Sequence, residues 1–186
     1  NKRNIKTHII MNETTVLTLS GLTMLLAGAL LYLSEQIGIS TAKILIPLLF
    51  ILSGIFSIRF SNNNLPKIAK LYHKIQGISL ILFAFLIIAL PNSLHSFLMI
   101  VTYFVIMFGI FEITFALNAL SSKQNINTNI LVSRLVAGAI NLIGGFILLL
   151  TTLNDEFKGI SIASILIIIG GFSIMYFAQY LKRMNV

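Results

Sequence analysis

The sequence predicts an all-α membrane protein with six transmembrane helices and with both termini on the cytoplasmic side. Three observations predict this fold class. Hydrophobic residues make up 57% of the 186 residues and charged residues only 10%, too few to cover the surface of a water-soluble domain. The apolar residues come in six long runs. The basic residues are concentrated in alternate loops between those runs.

The six apolar runs are predicted as spans at 16–33, 44–60, 75–90, 96–120, 130–153 and 160–181. About 20 apolar residues cross a hydrocarbon core, so the second and third spans are short and the fourth is long. We expect short spans to stand upright or to thin the bilayer locally, and the long span to tilt. Residues 1–14 are predicted as a basic cytoplasmic tail, and residues 15–186 as a single membrane domain.

The first span is expected to be a retained helix, although basic residues precede it as they precede the apolar core of a signal peptide. Its run of about 18 apolar residues is long for such a core, and Leu33-Ser34-Glu35 offers no small-residue cleavage pattern.

The orientation follows from loop charge. Eleven of the thirteen lysines and arginines fall in the N-terminal tail, the second loop, the fourth loop with the start of span five, or the C-terminus. They are Lys2, Arg3, Lys6, Arg59, Lys67, Lys70, Lys74, Lys123, Arg134, Lys182 and Arg183. The opposite loops hold only Lys43 and Lys158. By the positive-inside rule, these segments are cytoplasmic, as expected for a multi-pass protein of the cytoplasmic (inner) membrane.

The chain also shows an internal repeat of three helical hairpins, at about 16–60, 75–120 and 130–181. The second helix of each carries the pattern G-x-F-(S/E)-I, starting at Gly54, Gly109 and Gly170. The first helix of each carries a glycine 32 or 33 residues earlier, at Gly21, Gly77 and Gly138. Two spans return the chain to its starting side, so the copies are predicted to be related by rotation about the membrane normal.

The repeat glycines are interpreted as packing positions. Lipid chains are as apolar as leucine, so membrane helices associate best where small residues let their backbones approach closely. We therefore expect the six glycines to lie at contacts between helices.

The three hairpins, the repeated G-x-F-(S/E)-I pattern and the basic N-terminus resemble the HdeD-like membrane proteins, from about Thr15 to Leu181. That family is built of a short hydrophobic repeat of unknown function and is named for an acid-resistance protein. The resemblance implies a role in acid or envelope stress tolerance, and it brings no catalytic residues with it.

Glu112 is the one acidic residue inside a predicted span, about eight residues or roughly 12 Å from the cytoplasmic end of span four. A carboxylate at that depth is a candidate intramembrane site by default, because an unpaired charge there is costly. Arg134 and Asn141 share one face of span five, and Glu112 lies between them in depth. Glu112 is expected to face the bundle interior, within hydrogen-bond reach of Arg134, Asn141 or a hydroxyl on an adjacent helix. The site is interpreted either as an interhelical tie or as a proton-responsive or ion-path site.

Other polar groups suggest weaker sites. Lys67, Lys70 and Lys74 share a helical face that can bind anionic lipid headgroups, although determining topology is the simpler role. His8, His73 and His95 are far apart and are expected to lack nearby carboxylates or other ligand residues, so no metal site is predicted. The net charge of +8 follows the loops rather than one basic and aromatic face, so no nucleic-acid partner is expected.

Neither a cofactor site nor an enzyme is predicted. The chain contains no cysteine, no phosphate-binding loop and no hydrolase or zinc-protease motif. A small-solute carrier, such as the substrate-binding membrane subunit of a vitamin importer, and an oligomeric pore are the alternatives to a stress-tolerance protein. The outer halves of the spans are rich in Leu, Ile and Phe, which disfavours a carrier pocket. The sequence leaves homo-oligomerisation open.

Overall fold

A computed structural model of the chain is all-helical over the residues that it describes. It describes the backbone of residues 2–62, 67–121 and 127–184, and the side chains of residues 14–34, 36–62, 69–121 and 127–183. The helices are α1 (Lys2–Tyr32), α2 (Ser34–Ile37), α3 (Ile39–Ser61), α4 (Lys67–Ala89), α5 (Leu94–Ser121), α6 (Thr128–Asn154) and α7 (Glu156–Met184). All but the four-residue α2 are long and apolar enough to cross a membrane.

The second and third spans are longer than predicted, since α3 and α4 each contain 23 residues. Both helices are therefore long enough to cross a bilayer without thinning it. The predicted third span, 75–90, includes Gln76 but leaves His73 outside. In the structure His73 and Gln76 are buried against other helices, so their polarity does not mark the end of a span.

Local signals explain several helix ends. Gly38 adopts a φ of 87° between α2 and α3, a conformation that glycine takes without steric cost. The side chain of Asn127 caps α6 by accepting a hydrogen bond from the N–H of Asn129. Asp155 caps α7 in the same way, and the N–H of Lys158 that it accepts lowers the pKa of its carboxyl group.

The helices pack most extensively in three pairs, which are α1 with α7, α3 with α4, and α5 with α6. The pairs α3 with α4 and α5 with α6 each join the second helix of one predicted hairpin to the first helix of the next. The pair α7 with α1 joins the last hairpin to the first in the same way. The pairing of α5 with α6 agrees with the short connection between them. By contrast α4 and α5, which form one predicted hairpin, are in less extensive contact.

Two glycines face each other at each of these crossings. A Cβ atom on Gly54 would lie 2.7 Å from the carbonyl oxygen of Gly77, and one on Gly77 would lie 2.6 Å from that of Gly54. A Cβ on Gly109 would lie 2.8 Å from the carbonyl oxygen of Gly138. Glycine therefore permits backbone contact at the centre of these two pairs, which is the packing predicted for these positions.

The third crossing differs from the prediction by one residue. Gly171 faces Gly21, with a Cβ on Gly171 placed 2.9 Å from the Gly21 carbonyl oxygen. Gly170, the predicted position, packs between helices too, but against Met24 and Phe108. The G-x-F pattern begins at Gly170, the first of two consecutive glycines, whereas Gly171, the second, lies at the crossing with α1.

The repeat also has an aromatic residue six positions after each of Gly54, Gly109 and Gly170, at Phe60, Phe115 and Tyr176, and the third of these positions shifts by one residue too. Phe177 is buried like Phe60 and Phe115, whereas Tyr176, which the repeat pattern singles out, is 52% exposed. The register of the third copy was therefore decided by which residues reach the core.

Candidate functional site

The buried polar site is centred on Glu112, whose side chain is fully buried in α5. Glu112 lies nine residues before the end of α5 at Ser121, a rise of roughly 13 Å. Its face of α5 is lined by Gly109, Ala116 and Ala119, which are small and buried, so the neighbouring helices approach closely. The carboxylate thus points into the bundle.

Arg134 of α6 pairs with this carboxylate. Its Nε donates to Glu112 Oε2 at 2.8 Å, and its Nη2 donates to Oε1 at 2.9 Å. Both side chains are 0% exposed. A bidentate geometry of this kind is the strongest arrangement of guanidinium and carboxylate, and it offsets part of the cost of burying two charges.

Two hydroxyl groups complete the surroundings of Glu112. Tyr72 of α4 donates from its hydroxyl to Oε1 at 2.5 Å, and Ser173 of α7 donates from its hydroxyl to Oε2 at 3.2 Å. The carboxylate therefore accepts four hydrogen bonds, which fill its roughly four lone-pair positions. Glu112 joins four helices, α4, α5, α6 and α7, at one point.

Aromatic rings surround the guanidinium of Arg134. Its Cζ atom lies 4.9 Å from the ring centroid of Tyr72 and 4.6 Å from the centroids of both Phe115 and Phe177. Cations at these distances over ring faces are attracted by the quadrupole of the ring. Arg134 Nη1 has no hydrogen-bond partner among the described residues, and the three rings lie around the same guanidinium.

A second polar group lies beside the first, because His73 follows Tyr72 on α4. The ring Nδ1 of His73 is 3.1 Å from Gln76 Oε1, and the hydroxyl of Ser57 donates to the carbonyl oxygen of His73 at 2.9 Å. The His73 ring also packs against Phe177, with ring centroids 5.8 Å apart. Together the two groups form a buried polar layer to which all helices from α3 to α7 contribute.

The layer contains two of the three predicted site residues. Glu112 and Arg134 meet as predicted, but Asn141 does not join them. Its Nδ2 donates instead to the carbonyl oxygen of Ala137, one turn earlier on the same helix, at 3.1 Å. A helical amide side chain can bond to a backbone carbonyl within its own helix. The Asn141 side chain does so, and it makes no hydrogen bond to Glu112 or Arg134.

Tyr72, His73 and Gln76 were missed by the sequence analysis. They belong to a stretch with three lysines, which was interpreted as a charged cytoplasmic face. A signal was nevertheless present. Ala69, Tyr72, His73 and Gln76 recur at the spacing of one helix face, opposite the lysines, and all four are buried in the structure.

His95 is separate from the site, and the side chain of His8 lies outside the described residues. His95 lies near the start of α5, and its Nδ1 is 3.6 Å from Glu156 Oε1 at the start of α7, with both side chains about 40% exposed. The expectation that the histidines lack a nearby carboxylate is therefore wrong for His95. No group of three or more histidines and carboxylates that could hold a metal ion occurs among the described residues.

The chemistry open to Glu112 is limited because its carboxylate is fully hydrogen-bonded. A catalytic base needs a lone pair directed at a substrate, whereas the carboxylate lone pairs of Glu112 are all directed at protein donors. The arrangement instead suits a charged tie between helices, whose strength depends on the carboxylate staying ionised. No family model, no curated protein and no solved structure matches this chain.

Proposed function

We propose that this chain is a non-enzymatic integral protein of the cytoplasmic membrane, of the HdeD-like type, which contributes to tolerance of acid or another envelope stress. The observation that carries the proposal is the buried ion pair of Glu112 and Arg134, which joins four helices through one ionisable carboxylate. The sequence resemblance to the HdeD-like proteins points to the same physiological setting.

The pair makes the packing of these helices depend on one charge. If Glu112 carried no charge, Arg134 would be a buried cation without a counter-charge, which is strongly unfavourable. Removal of that charge would therefore loosen the contact of α5 with α6, and with it the contacts of Tyr72 and Ser173.

The pairing also favours a stress-tolerance protein over a small-solute carrier. A carrier site needs polar groups that are free to bind a solute, and the polar groups that meet at Glu112 are bonded to each other. Towards the other end of the bundle, the core is filled by apolar side chains such as Leu31, Phe50, Phe97 and Phe104.

The proposed architecture is a threefold repeat with both termini in the cytoplasm. The three glycine crossings support the repeat, because each uses a glycine from the same two helix positions, allowing for the shift of one residue at Gly171. The distribution of lysine and arginine along the chain supports the orientation.

The orientation predicts two sets of labelling results. Single cysteines at Asn92 and Asp155 should react from the outer face of intact cells with an impermeant thiol reagent. Cysteines at Asn62 and Asn127 should react only after the membrane is opened. The chain has no native cysteine, so each variant carries a single reactive thiol. Labelling of Asn62→Cys from outside would overturn the orientation. Asn63 and Lys123, which the sequence also places inside, lie outside the described residues.

The proposed function is tested by acid survival. Cells lacking the protein are complemented with the wild type or with Glu112→Gln/Arg134→Met, in which the pair is replaced by two uncharged side chains. We expect the wild type to restore survival after an acid challenge and the uncharged double variant to fail, although it reaches the membrane in equal amount.

The matched control is Glu156→Gln, the same carboxylate-to-amide change at an exposed position, which should restore survival like the wild type. Equal survival with the uncharged double variant would show that the pair has a structural role only. If the wild type gives no protection, the stress function is wrong.

A further inference from the structure

A groove opens between α4 and α5 on the surface of the bundle, where these two helices are in their less extensive contact. It has a volume of about 290 Å³ and is lined by Leu71, Tyr72, Ile75, Ile110, Phe111, Thr114, Phe115 and Asn118. Leu71, Ile75 and Ile110 are each at least 40% exposed. The groove lies within the membrane-spanning part of both helices, so the molecules that surround it are lipids.

The chemistry of the groove is divided between its two ends. The part of the lining around Ile75, Ile110 and Phe111 is apolar. Thr114 and Asn118 lie one turn apart on α5, towards the end of the bundle that holds most basic residues. Both side chains are exposed, and neither hydrogen-bonds to another described residue.

Three other polar side chains in the spans bond to their own helix. Thr102, Thr151 and Asn154 each donate to the carbonyl oxygen four residues earlier on their own helix. Polar groups facing the bilayer are costly unless they find a partner. Thr114 and Asn118 thus present two unused donors beside an apolar channel, which matches an amphiphile with an apolar chain and ester oxygens.

Two basic residues of α4 lie near the groove, although neither lines it. Lys74 is one helical turn from Leu71, which does line the groove, and Lys70 lies one turn before Lys74. Both lysines are exposed, and neither is within ion-pair distance of a carboxylate of the described residues. Exposed lysines at a membrane surface favour anionic headgroups.

We propose that the groove binds one anionic phospholipid of the leaflet on the side of the basic residues. Its acyl chain lies along Leu71, Ile75 and Ile110, its ester oxygens accept from Thr114 and Asn118, and its headgroup pairs with Lys74. The site goes beyond the proposed stress function and does not depend on it. It adjoins the ion pair through Tyr72, which lines the groove and donates to Glu112.

Photo-crosslinking tests this assignment. The full chain is placed in phosphatidylcholine nanodiscs that contain a small fraction of phosphatidylglycerol with a photoactivatable acyl chain, and the adducts are mapped by peptide mass spectrometry. We expect adducts concentrated on residues 71–75 and 110–118. Phosphatidylcholine with the same photoactivatable chain should give several-fold fewer adducts there.

Variants separate the parts of the site. Thr114→Phe, which fills the groove, should abolish the adducts, and Lys74→Gln should remove the preference for phosphatidylglycerol while leaving adducts in place. The controls are Ile143→Phe, on the exposed face of α6, and Lys182→Gln, at the end of α7, and both should behave like the wild type. Should Thr114→Phe fail to fold, Thr114→Val/Asn118→Leu removes the polar end alone and should lower the yield.

Three results would overturn the proposal. Adducts spread evenly over all lipid-facing residues would show that the groove is not a site. Equal yields from the two lipids would show that it does not recognise an anionic headgroup. A dimer mass together with a groove free of adducts would show that a second copy of the chain occupies it.

Discussion

Replacement of Glu112 by glutamine is expected to lower the free energy of unfolding by about 3–5 kcal/mol. The change keeps the size of the side chain but leaves Arg134 as a buried cation without a counter-charge. It also weakens the hydrogen bonds from Tyr72 and Ser173. Unfolding of the purified protein in detergent near neutral pH, followed by melting or by chemical denaturation, measures the effect.

The matched control for this variant is Glu156→Gln. Glu156 is partly exposed and lies 3.6 Å from His95, so the same chemical change should cost less than about 1 kcal/mol. The double variant Glu112→Gln/Arg134→Met removes both charges, and its stability should lie closer to the wild type than that of Glu112→Gln alone. If Glu112→Gln unfolds at the same denaturant concentration as the wild type, the pair contributes nothing to holding the helices together.

The second large effect is expected at the glycine crossings. Gly77→Ala and Gly109→Ala should each lower the stability by about 1–3 kcal/mol, because the new Cβ atom meets the backbone of the facing helix. At Gly77 the obstacle is the carbonyl oxygen of Gly54 at 2.6 Å, and at Gly109 it is the amide nitrogen of Leu142, also at 2.6 Å. Backbone atoms cannot move without separating the two helices.

Gly144→Ala is the control for this pair of variants. A Cβ on Gly144 would meet only side-chain atoms of Leu166, at 2.5, 3.1 and 3.3 Å, and a side chain can shift without separating the two helix backbones. Alanine also has the higher helix propensity, by about 1 kcal/mol. Gly144→Ala should therefore cost less stability than Gly77→Ala or Gly109→Ala in the same unfolding assay. A loss at Gly144 equal to that at Gly109 would mean that close backbone contact is not what these glycines provide.

The number of spans, the depth of Glu112 and its partner could be predicted from the sequence because each depends on few interactions. The number of spans follows from the length of apolar segment that a bilayer requires, and the depth of Glu112 from the rise of an α-helix. The pairing of Glu112 with Arg134 was also within reach, since a buried carboxylate needs a counter-charge and Arg134 enters the bundle at a compatible depth.

Other features depend on which side chains meet across the bundle. Tyr72 and His73 share a helix face that is buried against other helices. Hydropathy counts both residues as polar whether or not that face is buried, so it cannot tell the end of a span from the core of the bundle. Asn141 shares a face with Arg134 but bonds to its own backbone, a choice made by local geometry. Because Gly170 and Gly171 are consecutive, the sequence pattern alone did not decide which of them faces Gly21 of α1.

The sequence by itself determined that this protein is an all-helical chain with six apolar spans and one carboxylate buried within them. Only the tertiary structure decided that α7 closes onto α1, that Gly171 rather than Gly170 faces Gly21, and that Tyr72 and Ser173 complete the surroundings of Glu112. The physical reason is the range of the interactions involved. Insertion into a bilayer is decided segment by segment from composition, whereas a helix crossing is decided by the shapes of two surfaces that are distant in sequence.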